Sequence, residues 1–463
     1  MKTEFKAGYS RVDITPPLGS FMPGYYKDRR AKSVLDPLQI ACVAFSDGTT
    51  SACVMQFDTE AISDENAGRM RAEIAKATGI APEAVLLHAS HTHDGGNLSL
   101  GAKNDSGLAY PPTAVDYAYL EFAVTRAVDA ARAALADLKP ARLAIGRSEA
   151  KRISFGRRYL MKDGKVRTNP GTNNPDIVEP VGNPPDEQVQ VLRIDREGGR
   201  PIAVINFQTH PDVVGGETLT ADWPGLTRAV FEAATMGGSH AIVLNGTQGD
   251  VNHCNVLPRP GELNGLVRDF DDVDRGYDHA KHMANVIAAA ALSVWMKCEA
   301  VEAGAVKAAT LDVRVPANKA KDTDEKNLAW ARKVWAAHEA GRDAELPWSG
   351  MELTTEVARA GRIITLSTAP DAFDLPLYAI ALGGSVAFGG VPGEPFNDIG
   401  KAVKARSPFR MTLLSCLTNG SRGYFPFSDA YEQGGYESAT SPFGPSVADD
   451  LIGGAVELLT KLR

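Results

Sequence analysis

Val85 to Gly96 reads VLLHASHTHDGG, an apolar, β-prone run that stops at a histidine pair and a glycine pair. A buried strand ending this way presents imidazoles at its C-terminal end, where open α/β sheets keep their chemistry. Three of the nine histidines, His88, His91 and His93, lie within six positions here. Neutral imidazole is a common zinc ligand, and two in one turn can aim at one ion. His88 lies inside the apolar run and reads as a satisfied strand-end residue. The HxH, flanked by Ser90, Thr92, Asp94 and Gly95-Gly96, reads as metal-binding or catalytic.

Similar apolar runs recur at Ile40–Phe45, Ala52–Phe57, Ala144–Ile145, Val189–Ile194, Ile202–Phe207, Ala241–Leu244, Leu377–Leu382 and Val386–Phe388. Helical patterns lie between them: Asn66–Thr78, Ala114–Leu138 (stopped at Pro140), Leu226–Ala234, Tyr277–Met296, Glu325–Ala340 and Val447–Leu462. Continuous and alternating strands occur together. The fold class is therefore α/β, a mixed β-sheet core with flanking helices, with no strict βαβ repeat. Two long Gly/Pro/Asn-rich loops, Asp163–Glu187 and Val256–Tyr277, are expected to line the site. The second carries an acidic run (Asp269, Asp271, Asp272, Asp274) without EF-hand spacing, which reads as a solvated loop. The helix with Trp330 and Trp335 reads as a cover over the site or a packed insertion.

The chain has 463 residues and a net charge of −8, with no basic block and no aromatic-basic stripe, which argues against nucleic acid or an anionic membrane as partner. Five scattered cysteines (Cys42, Cys53, Cys254, Cys298, Cys416) form neither a disulfide framework nor a CxxC site, and Cys254 is the least settled of them. No stretch is long and apolar enough to span a bilayer, and the N-terminus shows no signal-peptide core. The expected location is cytoplasmic, or secreted or periplasmic if a signal has been removed.

Four further runs end in small polar motifs. Ile202–Phe207 leads to Gln208-Thr209-His210-Pro211, Ala241–Leu244 to Asn245-Gly246-Thr247-Gln248-Gly249-Asp250, Val386–Phe388 to Val391-Pro392-Gly393-Glu394, and Ala52–Phe57 to Asp58. A hydrolytic zinc takes about three protein ligands and keeps a position open for water. His91, His210 and Glu394 could supply that set. Singly, Asp58 and Asp250 read as turn or N-cap residues and Glu394 as a helix N-terminal acid.

The ordered segments AGYSRVDITPPLGSFMPGY, HASHTHDGG, NFQTHPDVVGG…ADWPG, NGTQGDVN, VPGEPF and RGYFPF…YEQGGYESAT…FGP resemble the neutral ceramidase family, from about Gly8 to about Pro445. The resemblance implies a single Zn2+ ion held by His91, His210, Glu394 and Tyr424. His93 would stand behind the ligands, able to donate to the substrate carbonyl. Arg157 of SFGRRY would orient the substrate, with Arg158 the alternative assignment, and Tyr436 would be a second active-site tyrosine. The expected organisation is one catalytic domain over residues 1–463, without the family's C-terminal immunoglobulin-like domain.

The chain departs from the family where Asn252-His253 replaces a Ser-Pro pair and where Asp94 follows HTH. Asn252 is therefore expected to face the site and set specificity. The expected activity is zinc-dependent hydrolysis of an amide or related acyl bond through a metal-activated water. The substrate is expected to be a small molecule, smaller and more polar than ceramide. Two alternatives are a non-catalytic ligand- or sugar-binding member of the fold and a barrel-type metal amidohydrolase. The barrel would require eight regular βα units and further strand-end histidines.

Overall fold

The computed structural model describes residues 4–100, 112–269, 271–319 and 323–463. Side chains of successive strand residues point to opposite faces, so a continuous apolar run belongs to a strand buried on both. Ile202–Phe207 shows this directly. Ile202 and Val204 enter one core, and Ala203, Ile205 and Phe207 enter another. His240–Asn245 divides likewise, with Ile242 and Leu244 on one side and Ala241 and Val243 on the other.

Among the described residues nine strands form the main sheet. Its path runs His240–Asn245, Ile202–Phe207, Gln188–Arg196, Lys139–Glu149, Lys6–Asp13, Gln39–Ser46, Ser51–Phe57, Val85–Ala89, with Glu299–Val301 paired onto Lys139–Glu149. The second sheet orders Val306–Pro316, Ala372–Leu382, Val386–Gly390 and Met411–Ser415. The sheets share a core in which Ile40, Phe45 and Val204 meet Ile380, Phe388 and Leu413. Helices Asp222–Ala234 and Tyr277–Trp295 cover the far face of the first sheet. Helices Asn397–Arg406 and Val447–Leu462 cover the far face of the second. Helices Asp64–Thr78 and Ala114–Ala136 pack into the shared core as well. The architecture is the expected mixed α/β. Most pairings in the main sheet are antiparallel, which rules out the eight-fold barrel.

Three parallel pairs locate the site: Ser51–Phe57 with Val85–Ala89, Ile202–Phe207 with His240–Asn245, and Val386–Gly390 with Met411–Ser415. Parallel neighbours end on the same edge, so each pair delivers two strand-end loops together. The residues after Met411–Ser415 join all three. Cys416 N–H donates to Asn245 O (3.1 Å), Ala89 N–H to Leu417 O (3.2 Å) and Asn419 N–H to Leu87 O (2.9 Å). The two terminal strands of the main sheet are thereby drawn to one place.

Structure departs from the sequence reading in the loops. Asp163–Glu187 contains strands Val166–Thr168 and Ile177–Pro180, both paired with Arg158–Met161. In the second long loop Val267–Arg268 pairs with Asp274–Arg275. The acidic run is only partly solvated. Asp271 is buried and binds Arg275 through two contacts of 2.7 and 3.0 Å, an internal ion pair. The Trp330 helix packs with a second helix, Gly350–Leu366, around its own small apolar cluster. Among the described residues no helix is long and apolar enough to cross a membrane.

Candidate metal centre

His88 sits on the strand itself, fully buried, with both ring nitrogens committed. Nδ1–H donates to Cys416 O (2.8 Å), and Nε2 accepts from Asn245 N–H (2.9 Å). Burial holds its pKa down at about 4, so it remains neutral and pins three strand ends.

His91 differs because its backbone is left-handed, at φ 74°. Along an extended strand, residues two apart are separated by about 7 Å, which would keep His93 off any ion that His91 holds. The positive φ turns the chain and removes that separation. Nε2 of His93 lies 3.3 Å from Nε2 of His91, and Nε2 of His210 lies 3.1 Å from it on another side. Glu394 Oε2 is 3.3 Å from His91 Nε2 and 3.7 Å from His210 Nε2. Glu394 comes from the Val386–Gly390 strand end, and its backbone pairs with Tyr424. Hydroxyl contacts tie Tyr424 to Glu394 and to Arg157. The structure thus brings His91, His93 and His210 into one buried group of donors, with Glu394 against two of them.

The donor set fits a divalent cation. Two nitrogens on one tetrahedral zinc, each about 2.0–2.1 Å from it, stand about 3.3 Å apart, the spacing these rings have. His91 Nδ1–H donates to Glu60 O (2.9 Å), and His210 Nδ1 faces Gln248 O at 3.5 Å. Both therefore turn the lone pair of Nε2 into the cluster, as metal-ligating histidines do. His93 has no such anchor, because its buried Nδ1 lacks a hydrogen-bond partner. Glu394 also attracts positive charge to this spot. Burial works to lower the His91 imidazole, but Glu394 and Glu60 outweigh it and hold it up at about 9. Burial and then neighbouring positive charge push His93 and His210 well below the usual histidine range. A divalent cation satisfies Glu394 with all three rings neutral.

The surroundings fix the rings. Gly24 (φ 104°) packs on His93 so closely that a Cβ there would lie 2.8 Å from its Cγ and Nδ1. The Tyr25 ring lies tilted against the His93 ring, 5.0 Å from it. Asp94 is an anchor. It is fully buried and takes Arg29 Nη1–H at 3.0 Å, while Arg29 also donates to the carbonyls of His93, Pro23 and Gly216. Burial pushes the Asp94 carboxyl up to about 8 despite Arg29.

Arg157 is buried beside Tyr424, with its guanidinium 5.4 Å from the ring centroid. Nε–H donates to Glu437 (2.6 Å) and Nη2–H to Gly249 O (2.8 Å). Arg158 turns away, donating to Gln433 (3.1 Å) and Gly434 O (3.0 Å). Tyr436 lies 5.6 Å from Tyr424, ring to ring, and shares a 3.1 Å hydrogen bond with Tyr26. Asn252 is spent locally, with Nδ2–H on Asn169 (3.1 Å) and Oδ1 accepting Cys254 N–H (3.0 Å). Asp58 is bound to Arg228 (2.8 Å), and Asp250 accepts Asn397 N–H (2.6 Å) at a helix start.

Residues that sequence reasoning passed over are Glu60, Gln248 and Glu437. Gln248 donates to Glu394 (3.1 Å) and sat in a strand-end motif already singled out. Glu437 is fully buried and also accepts from Thr168 (2.9 Å), and nothing in its spacing signals that role.

The fold and this edge define a class, a mixed α/β protein with a histidine-carboxylate cluster where parallel strand pairs end. Among solved structures, the chain has the fold of neutral ceramidase. The Pseudomonas aeruginosa neutral ceramidase superposes with a TM-score of 0.71 at 18% identity, covering 100% of this chain and 75% of that one. A ceramidase complexed with C2 gives 0.70 at 17% identity with the same coverage. No protein-family model and no curated protein matches the sequence.

Proposed function

We propose that this protein is a zinc-dependent hydrolase that cleaves an amide or related acyl bond in a substrate smaller and more polar than ceramide. The observation that carries this reading is the convergence of the His91 and His210 lone pairs on Glu394 in a buried cluster. His91, His210, Glu394 and Tyr424 would hold the ion. When bound, zinc lowers the pKa of water towards about 7 and polarises a carbonyl oxygen.

The remaining roles belong to the chain. No acceptor fixes the His93 tautomer, so Nε2 is free to carry a proton to a carbonyl oxygen or a leaving nitrogen. The Tyr436 hydroxyl, held by Tyr26, is placed beside Tyr424 to donate to developing negative charge. Arg157 acts chiefly on Tyr424, because Glu437 already neutralises its guanidinium. A water-poor setting strengthens each of these interactions.

The test is elemental analysis together with turnover on a panel of acyl compounds that includes long-chain ceramide. About one zinc per chain, with activity on a small polar amide and little on ceramide, is the expected outcome. A protein that never retains a transition metal after reconstitution is no zinc enzyme. Stoichiometric zinc without turnover on the whole panel would favour a non-catalytic binding protein. Ceramide cleavage as efficient as that of any polar substrate would remove the claim about substrate size.

A further inference from the structure

The turn that carries Val251, whose carbonyl accepts the His210 N–H (3.0 Å), continues to His253. His253 lines a cavity of about 430 Å³ that neither the metal cluster nor Tyr436 enters. Phe155 and Arg152 form part of the wall, and His279 and His282 reach it from the first turns of the helix Tyr277–Trp295.

Three observations say what chemistry this cavity offers. His279 is only 9% exposed, and among the described residues neither of its ring nitrogens has a hydrogen-bond partner. Its neighbours are ring contacts, with His253 at 6.0 Å and His282 at 5.8 Å. A buried polar ring facing a cavity without a partner is one that a ligand can satisfy. Second, the carboxylates at the cavity have cationic partners, although the Asp278 pair is largely exposed. Glu262 accepts from Arg152 (2.7 and 2.8 Å) and from Asn255 (2.8 Å), and Asp278 pairs with Lys281 (3.0 Å). Third, both ring nitrogens of His253 face oxygen acceptors, Asp274 O at 2.6 Å and the Asp212 carboxylate at 3.4 Å. Nδ1 makes no hydrogen bond, and Asp212 balances any charge on this ring. The start of a 19-residue helix adds positive potential at the same wall. Hydrogen-bonding capacity is left over on His279 and His282 at this wall.

We propose that this cavity binds an oxyanion, a carboxylate or a phosphate, with His279 and His282 donating at the start of the helix. Burial, then the charge of His253 and the nearness of His282, hold His279 down at about 3, so it meets the ligand as a neutral ring with one N–H. The site stands independently of the hydrolase reading.

Isothermal titration with sodium phosphate and with sodium acetate, each against sodium chloride at equal ionic strength, tests it on the zinc-quantified protein. At least one oxyanion should bind saturably, and the two arms tell a phosphate site from a carboxylate site. The double variant His279→Gln/His282→Gln should bind roughly tenfold more weakly while keeping its zinc, since one or two charge-assisted hydrogen bonds are lost. Should that variant fail to fold, His282→Gln alone, on an exposed position, should still weaken binding about threefold. No binding beyond chloride in either arm overturns the proposal. Unchanged affinity in a folded variant overturns it too, since the anion then binds elsewhere, for instance at the zinc.

Discussion

His88 and His91 stand three residues apart at the end of one strand, are equally buried, and do opposite things. His88 gives both nitrogens to main-chain groups and needs nothing from outside. His91 gives Nδ1 to Glu60 O and turns Nε2 towards two other imidazoles and a carboxylate. The difference begins in the backbone. Ala89 still pairs across the sheet, whereas His91 has left it with a positive φ. Residue type and burial alone therefore do not separate a histidine with both nitrogens committed from one that turns a nitrogen into a cluster. The partner of the second nitrogen does, and so does the strained residue that aims it.

The contrast predicts, first, that His91→Ala and His210→Ala each abolish zinc retention and reduce turnover below about a thousandth of wild type. Elemental analysis of the dialysed variants decides this, and wild-type zinc content in both would refute the ligand assignment. Next in size, His93→Ala should keep its zinc and lose roughly a hundred- to a thousandfold in kcat. Its unanchored Nδ1 motivates the separation from His91. Anomalous scattering that places His93 on the metal in the loaded protein would make it a ligand and end the distinction.

On the other side of the comparison, His88→Ala should cost about 3 kcal/mol of stability, because a buried N–H and C=O lose their partner together. Wild type should show the same residue in its pH dependence. The folded pKa of about 4 lies below the unfolded 6.5, so the unfolded chain takes up the proton first. The stabilisation is complete above pH 6.5, falls as pH drops through 6.5 to 4, and amounts to about 3 kcal/mol. Chemical denaturation of wild type and His88→Ala across that range should converge at low pH. Parallel curves would show that His88 does not titrate this way.

The apolar runs made most of the fold readable, because a strand buried on both faces leaves an uninterrupted signature. Ile202–Phe207 was bounded to the residue. Lys6–Asp13 was not seen, since KAGYSRVD mixes buried and exposed polar residues and its strand character comes from pairing with Gln39–Ser46. The helix Gly350–Leu366 was missed for a related reason, its packing against the Trp330 helix being a tertiary fact. The candidate site was legible where strand ends carried His or Glu, whereas Asp58 and Asp250 serve an ion pair and a helix start. Arg157, Tyr424 and Tyr436 came only through family resemblance, because nothing in the sequence says that the segments at 157 and at 424–436 meet. The approach of His93 to within 3.3 Å of His91 depends on φ 74° at His91, which no sequence rule would assign to a histidine.

The smallest expected effect concerns Asn252, where two readings compete. As a specificity residue it would offer its amide to the substrate. As a turn residue it is already occupied at both ends, by Asn169 and by Cys254 N–H. An amide that holds a buried turn is worth about 1–3 kcal/mol when removed, because both partners are left unsatisfied. Asn252→Ala should therefore lower stability by about that much and change kcat/KM on a polar amide by less than about threefold. Asn252→Ser restores the family's residue type and keeps one acceptor for Cys254 N–H, so it should recover part of the stability. If Asn252→Ser instead gains ceramide hydrolysis at an unchanged melting temperature, the substitution at this position is what turned the chain from ceramide. The turn reading would then give way to the specificity reading.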